Sequence, residues 1–168
     1  EIHHILKLMG KEEYAGQVYR GSTEWLSDEE TPLCSEAAEK LAELAVGYSP
    51  EKPLYIVAIG AITNVASALL LKPEITDRIV IVWLGGNAHH WPDNMEFNCG
   101  QDVAAARVVF GSGAAVVQLP CAGVVSAFKT TAGELEMFLR GKNRLCDYLV
   151  DIVERDGAAE SPYKTWSR

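Results

Sequence analysis

Positive charge is scarce in this sequence: 15 lysines and arginines stand against 23 aspartates and glutamates, a formal net charge of −8. Such a surface repels phosphate backbones, so nucleic acid is excluded as a partner. Long apolar runs are missing too. The longest, Leu54 to Ile59 and Ile79 to Leu84, fall far short of the ~20 residues a bilayer-spanning helix needs, which argues against a membrane partner. The four cysteines, Cys34, Cys99, Cys121 and Cys146, form no C-x-x-C pair, which excludes a zinc knuckle and a disulfide framework. They read as free thiols in a reducing compartment, the cytoplasm. No G-x-G-x-x-G run accompanies Gly85-Gly86, so a dinucleotide fingerprint is absent. Repeats, low-complexity tracts and long linkers are also lacking, and 1–168 reads as a single α/β domain.

What is present alternates. Ile2 to Met9 has helical apolar spacing and ends at Gly10, a natural C-terminal cap. Gln17 to Gly21 is a short extended candidate. Ser35 caps a helix expected to bury Leu41, Leu44, Ala45 and Tyr48. After the break Ser49-Pro50-Glu51-Lys52-Pro53, Leu54 to Ile59 reads as a strand, Thr63 to Leu71 as a helix, and Ile79 to Leu84 as a second strand. A polar loop runs from Gly85 to Gln101. Asp102 caps a helix from Val103 to Phe110, Ala115 to Leu119 is a third strand, and helices around Glu134–Leu139 and Arg144–Glu154 close the chain. Strands that are apolar throughout, alternating with helices, predict an open, doubly wound, mostly parallel sheet with both strand faces buried.

Ligands of such sheets bind past the carboxyl ends of the strands. Two segments lie there: Ile59-Gly60-Ala61-Ile62-Thr63-Asn64 and the Gly85 loop, which carries Asn87, His89, His90, Trp91, Asp93, Asn94, Glu96 and Asn98. Hydrogen-bonding groups beside an aromatic surface suit a small polar ligand with a flat ring. Glu96-Phe97-Asn98, eleven positions after Gly85, resembles the E-F-N motif of the nucleoside hydrolases. Ile59-Gly60-Ala61-Ile62-Thr63-Asn64 resembles their G-x-[LI]-T-N turn, and Trp83-Leu84-Gly85-Gly86 their strand ending in paired glycines.

The resemblance implies hydrolysis of the N-glycosidic bond of ribonucleosides in nucleoside salvage, with one Ca²⁺ and a homodimeric or homotetrameric assembly. It implies that Glu96 and Asn98 hydrogen-bond the ribose hydroxyls, that Leu84 packs on the sugar, and that the Ile59 backbone carbonyl is a calcium ligand. Asn94, with Asn87 as the alternative, would supply a further asparagine of the family's loop. A hard cation with oxygen ligands would lower the pKa of its water, and carboxylates would stabilise an oxocarbenium-like transition state. The family's D-x-D-x-x-x-D-D cluster, source of the calcium ligands and the general base, is absent from the sequence. Together with a first residue that is Glu1, this leads to the expectation of an excerpt from a longer hydrolase domain. A catalytically inactive ligand-binding or scaffold protein on the same fold is the alternative, and a Rossmann-like nucleotide-binding domain a third reading.

Local readings compete with these roles. Glu96 and Asn98 also suit a helix cap, and Thr63 and Asn64 are expected to cap rather than to touch ligand. His89 and His90 lack partners at metal-ligand spacing; His90 is placed near the nucleobase, where a protonated imidazole would assist departure of the base. Trp83 is expected in the core, and Trp91 either stacks on a base or covers its own loop. Cys121 has no base beside it to make it a nucleophile. The 168 residues alone are expected neither to bind Ca²⁺ tightly nor to release base from inosine or uridine. Hydrolysis assays on this segment and on a longer version carrying an upstream aspartate cluster check this; equal rates would refute it.

Overall fold

The computed structural model describes residues 1–157 and 165–166. In chain order the helices are α1 (Ile2–Met9), α2 (Glu36–Val46), α3 (Thr63–Leu71), α4 (Phe97–Gln101), α5 (Val103–Gly111), α6 (Ala132–Leu139) and α7 (Arg144–Gly157). The strands are β1 (Leu54–Ala58), β2 (Ile79–Leu84), β3 (Ala115–Leu119), β4 (Thr130–Thr131) and β5 (Thr165–Trp166). Two compact units emerge: one from Tyr19–Val125, the other from Glu1–Val18 and the described residues from Ser126 on.

In the Tyr19–Val125 unit, β1, β2 and β3 form a parallel sheet in that order, with Leu54 opposite Ile79 and Val80 opposite Ala115. Each crossover contains a helix, as parallel neighbours require. The α/β class and parallel sheet expected from the alternation are therefore present. Ile79, Ile81 and Trp83 of β2 project into one core with Val65, Ala66, Ala68 and Leu69 of α3 and Ala105, Ala106 and Val109 of α5.

Burial of the strands on both faces is not what the structure shows. On β1, Tyr55 and Val57 are 65% and 70% exposed, and Val117 on β3 is 48% exposed. The register places these residues on one side of the sheet with Val80 and Val82. The packed helices contribute to the core on the other side only. An unbroken apolar run specifies a strand but not which face is covered.

The interior of α2 also departs from expectation. Its buried residues are Ala38, Ala42 and Ala45, whereas Leu44 is 48% exposed. Small side chains let α2 lie close to α3, and the larger leucine turns outward. Ser35 caps α2 by accepting the Ala38 N–H at 3.1 Å, as its residue type predicts. The extended candidate at Gln17–Gly21 forms no strand. A 3₁₀ turn covers Glu12–Gln17, and Arg20 bonds to the first turn of α2: its N–H donates to Glu36 and its carbonyl accepts from Ala37.

In the second unit Gly10, at φ 63°, ends α1 as expected. His4 of α1 meets Tyr148 of α7 edge-on. Arg140 joins α6 to α7 by ion pairs to Glu136, Asp151 and Glu154, and its hydrogen bonds to Asp151 and Glu136 raise its pKa above the ordinary range. Thr131 and Glu134 form a reciprocal capping box at the start of α6.

One-sided coverage has a measurable consequence. Ile81→Ala, at a fully buried site, is expected to cost about 2–5 kcal/mol of stability. Val57→Ala on the opposite face is expected to cost less than about 1 kcal/mol. Urea denaturation of the chain compares them, and similar losses would show that the Val57 face is packed.

Candidate functional site

At the carboxyl edge of the sheet the chain leaves β1 through Ile59 and Gly60. The Gly60 carbonyl accepts the indole N–H of Trp83 at 2.9 Å, so the fully buried tryptophan of β2 holds the turn after β1. The same ring, packed against Phe110 at 5.6 Å, explains Gly85: a Cβ there would run into it. Gly86 has φ 71°, and a Cβ would collide with Asn94.

The Gly85 loop is stitched to the chain leaving β3. Gln118 donates its amide to the Gly85 carbonyl at 2.9 Å, Cys121 N–H reaches the Gly86 carbonyl at 2.8 Å, and Ala88 N–H reaches the Ala122 carbonyl at 3.0 Å. Asn87 accepts from Ala122 N–H through its side chain, and Asn94 accepts from Asn87 N–H. Both candidate asparagines therefore brace the loop.

Glu96 and Asn98 are each 9% exposed. Glu96 Oε2 accepts three main-chain N–H groups, from Gly86 at 2.9 Å and from Asn98 and Cys99 at 3.0 Å each. Asn98 donates its side-chain N–H to the Leu84 carbonyl at 2.9 Å. Glu96 thus caps α4, a short helix inside the segment read as loop, and also pins that helix to the end of β2. Glu96 Oε1 and Asn98 Oδ1 take none of these structural bonds.

Leu84, Asn94, Glu96 and Asn98 converge at the end of β2, and Ile59 leaves the adjacent strand one residue after the Ala58–Trp83 pair. His90 lies apart: it is exposed, stacks edge-on against Trp91 and sits over Gly123. No hydrogen bond joins it to Glu96 or Asn98 among the described residues. Trp91 is 47% exposed and lines a cavity of about 400 Å³ with Asn87, His89, Asp93 and Phe110.

Thr63 and Asn64 do not cap α3, whose cap position is Ile62. Thr63 instead donates its hydroxyl to Asp102 Oδ2 at 2.6 Å, and Asn64 Oδ1 accepts from Ser22 N–H and Ser35 Oγ. Asp102, 2% exposed, also accepts from Leu26 N–H at 3.0 Å and caps α5 through Ala105 N–H at 2.9 Å. Its cap was legible in the sequence, whereas its link to Thr63, thirty-nine residues away, was not. Phe97, 64% exposed, faces a groove of about 900 Å³ with Met95, Val103 and Phe110. An aromatic flanked by two polar residues gave no sign in sequence of which side it presents.

Among the described residues no three His, Cys, Asp or Glu side chains group as metal ligands. Calcium takes six to eight oxygens. The described residues therefore offer no acidic cluster for a calcium ion.

A parallel sheet with a polar, braced loop past its strand ends defines an α/β domain of the class whose ligands bind at that edge. The chain belongs to the inosine-uridine preferring nucleoside hydrolase family, which it matches over residues 5–163. It is 32% identical over 91 residues to a probable ribonucleoside hydrolase of Dictyostelium discoideum, covering 53% of this chain and 27% of that protein. It is 34% identical over 97 residues to the non-specific ribonucleoside hydrolase RihC of Salmonella paratyphi B, covering 56% of this chain and 31% of the relative. RihC of Salmonella newport matches to the same extent. The matched stretch spans less than a third of each relative.

Cys99 sits beside Glu96 at 8% exposure; burial pushes its thiol up, and the carboxylate adds to the rise. A raised pKa leaves less thiolate at neutral pH, so alkylation slows. Iodoacetamide labelling at pH 7.5 read by peptide mass is expected to modify exposed Cys34 at least ~10-fold faster than Cys99. Equal rates would place Cys99 in open solvent.

Proposed function

We propose that the protein hydrolyses the N-glycosidic bond of ribonucleosides, releasing base and ribose, with Glu96 and Asn98 on the sugar. The observation that carries this reading is the division of labour within each side chain. One Glu96 oxygen is committed to three N–H groups, and the Asn98 amide nitrogen to Leu84, so each remaining oxygen is held in position with little freedom left to lose. A sugar hydroxyl donating to Glu96 Oε1 would orient the ring. As the bond to the base breaks, positive charge develops on the sugar, and a fixed carboxylate nearby stabilises it.

Leu84 supplies apolar contact to the sugar, the Ile59 carbonyl is the turn's oxygen on the neighbouring strand, and Asn94 acts through the loop that it braces. Trp91 and Phe97 offer flat surfaces for a base. His90, exposed and edge-on to Trp91, would assist departure of a base stacked on that ring. The same reading places the protein in nucleoside salvage in the cytoplasm, as a homodimer or homotetramer. That part of the reading rests on membership of the family; separately, among the described residues no helix is long and apolar enough to cross a membrane.

The alternative reading is a ligand-binding protein on the same fold that does not hydrolyse. Base release from inosine and uridine by the intact protein separates the two. Glu96→Gln keeps an oxygen for the three N–H groups and removes the charge. It is expected to lower kcat by about 100-fold with a smaller change in KM. An unchanged kcat would remove Glu96 from the sugar site, and nucleoside binding without base release would support the second reading.

A further inference from the structure

We propose that Thr63 and Asp102 are positioning residues that close a hydrogen-bonded circuit around the sugar site and set its width; this rests on the sugar-site reading above. The circuit passes through three chain segments joined by three side-chain hydrogen bonds. From Gly60 the chain runs to Thr63, whose hydroxyl donates to Asp102 Oδ2 at 2.6 Å. From Asp102 the chain runs back along α4 to Asn98, whose amide donates to the Leu84 carbonyl at 2.9 Å. Leu84 adjoins Trp83, and the Trp83 indole N–H donates to the Gly60 carbonyl at 2.9 Å, completing the loop.

Every link bears on the relation between the turn after β1, which carries the Ile59 carbonyl, and α4, which carries Glu96 and Asn98. Two links run through the end of β2. The Thr63–Asp102 bond joins the turn to the far end of α4 directly. Without it, the far end of the five-residue α4 would be tied at Asp102 only through Leu26 N–H and the α5 cap at Ala105 N–H, neither of which reaches the turn after β1.

The bond also has the surroundings of a rigid joint. Asp102 is 2% and Thr63 3% exposed, and all three donors to the carboxylate come from different elements: the segment at Leu26, α3 and α5. A buried carboxylate that loses one of three donors is poorly compensated and draws the remaining ones into new geometry. Movement of α4 by a fraction of an ångström would misplace Glu96 Oε1 and Asn98 Oδ1 together. Transition-state contacts tolerate such misplacement less than ground-state binding does.

The test uses Thr63→Val, which removes the hydroxyl at nearly constant shape, and Thr63→Ser, which restores it. Ser67→Ala is the control; it removes another buried hydrogen bond of α3, to Leu33 N–H at 3.1 Å, that lies outside the circuit. Two readouts are taken on the intact protein: kcat and KM for nucleoside hydrolysis, and hydrogen exchange of the Trp83 indole by ¹H–¹⁵N NMR. Thr63→Val is expected to lower kcat about 10- to 100-fold with KM changed less than about threefold. Its Trp83 indole is expected to exchange at least ~10-fold faster, because the opposite link of the circuit has slackened. Thr63→Ser should restore both, and Ser67→Ala should alter neither.

Indole exchange in Thr63→Val that matches Ser67→Ala would overturn the circuit. Faster exchange with unchanged kcat would overturn its role in positioning. Should the parent protein release no base, the sugar-site reading fails while indole exchange still decides whether the circuit exists. If Thr63→Val does not fold, Trp83→Phe breaks the circuit at Gly60 instead. The same fall in kcat with little change in KM would support the proposal, and wild-type kinetics would overturn it.

Discussion

A single carboxylate oxygen organises the carboxyl edge of the sheet. Glu96 Oε2 receives N–H groups from Gly86, Asn98 and Cys99, drawing the start of α4 back onto the residue that follows β2. The chain between these points has no regular structure, and its main-chain groups must find partners nearby. They find them in Asn87, Asn94, Gln118 and the strand exit at Cys121–Ala122. Without Glu96, the start of α4 would keep only the Asn98–Leu84 bond to the end of β2.

This arrangement dissolves the opposition between a capping role and a binding role. A carboxylate has two oxygens and an amide has two ends, so one side chain can hold a helix and still present an acceptor. The structural bonds orient the presented atoms. Asp102 differs: its two oxygens are occupied by Leu26, Thr63 and Ala105, and it is buried where no ligand need reach it. Two acids six positions apart thus differ: Glu96 keeps one oxygen out of its structural bonds, and Asp102 keeps neither.

Membership of the nucleoside hydrolase family brings the expectation of calcium, and the described residues offer no side-chain group for it. What they do offer is Glu96 and Asn98 held on α4 beside the strand end at Leu84, with exposed aromatic surfaces at Phe97 and Trp91.

Local chemistry made much of this legible from the sequence. The runs at Leu54, Ile79 and Ala115 became strands, Ser35 and Asp102 became caps, and Gly10 became a left-handed helix end, because each depends on a residue and its near neighbours. The Gly85 loop and its cluster of polar residues marked the site for the same reason. What only the tertiary structure decided involves partners far apart in the chain: Thr63 with Asp102, Trp83 with Gly60, Gln118 with Gly85, and which face of the sheet the helices cover. An isolated threonine or tryptophan carries no record of the atom it will meet. Those pairings follow from how strands and helices stack, and burial then makes leaving any of their polar groups unpaired costly.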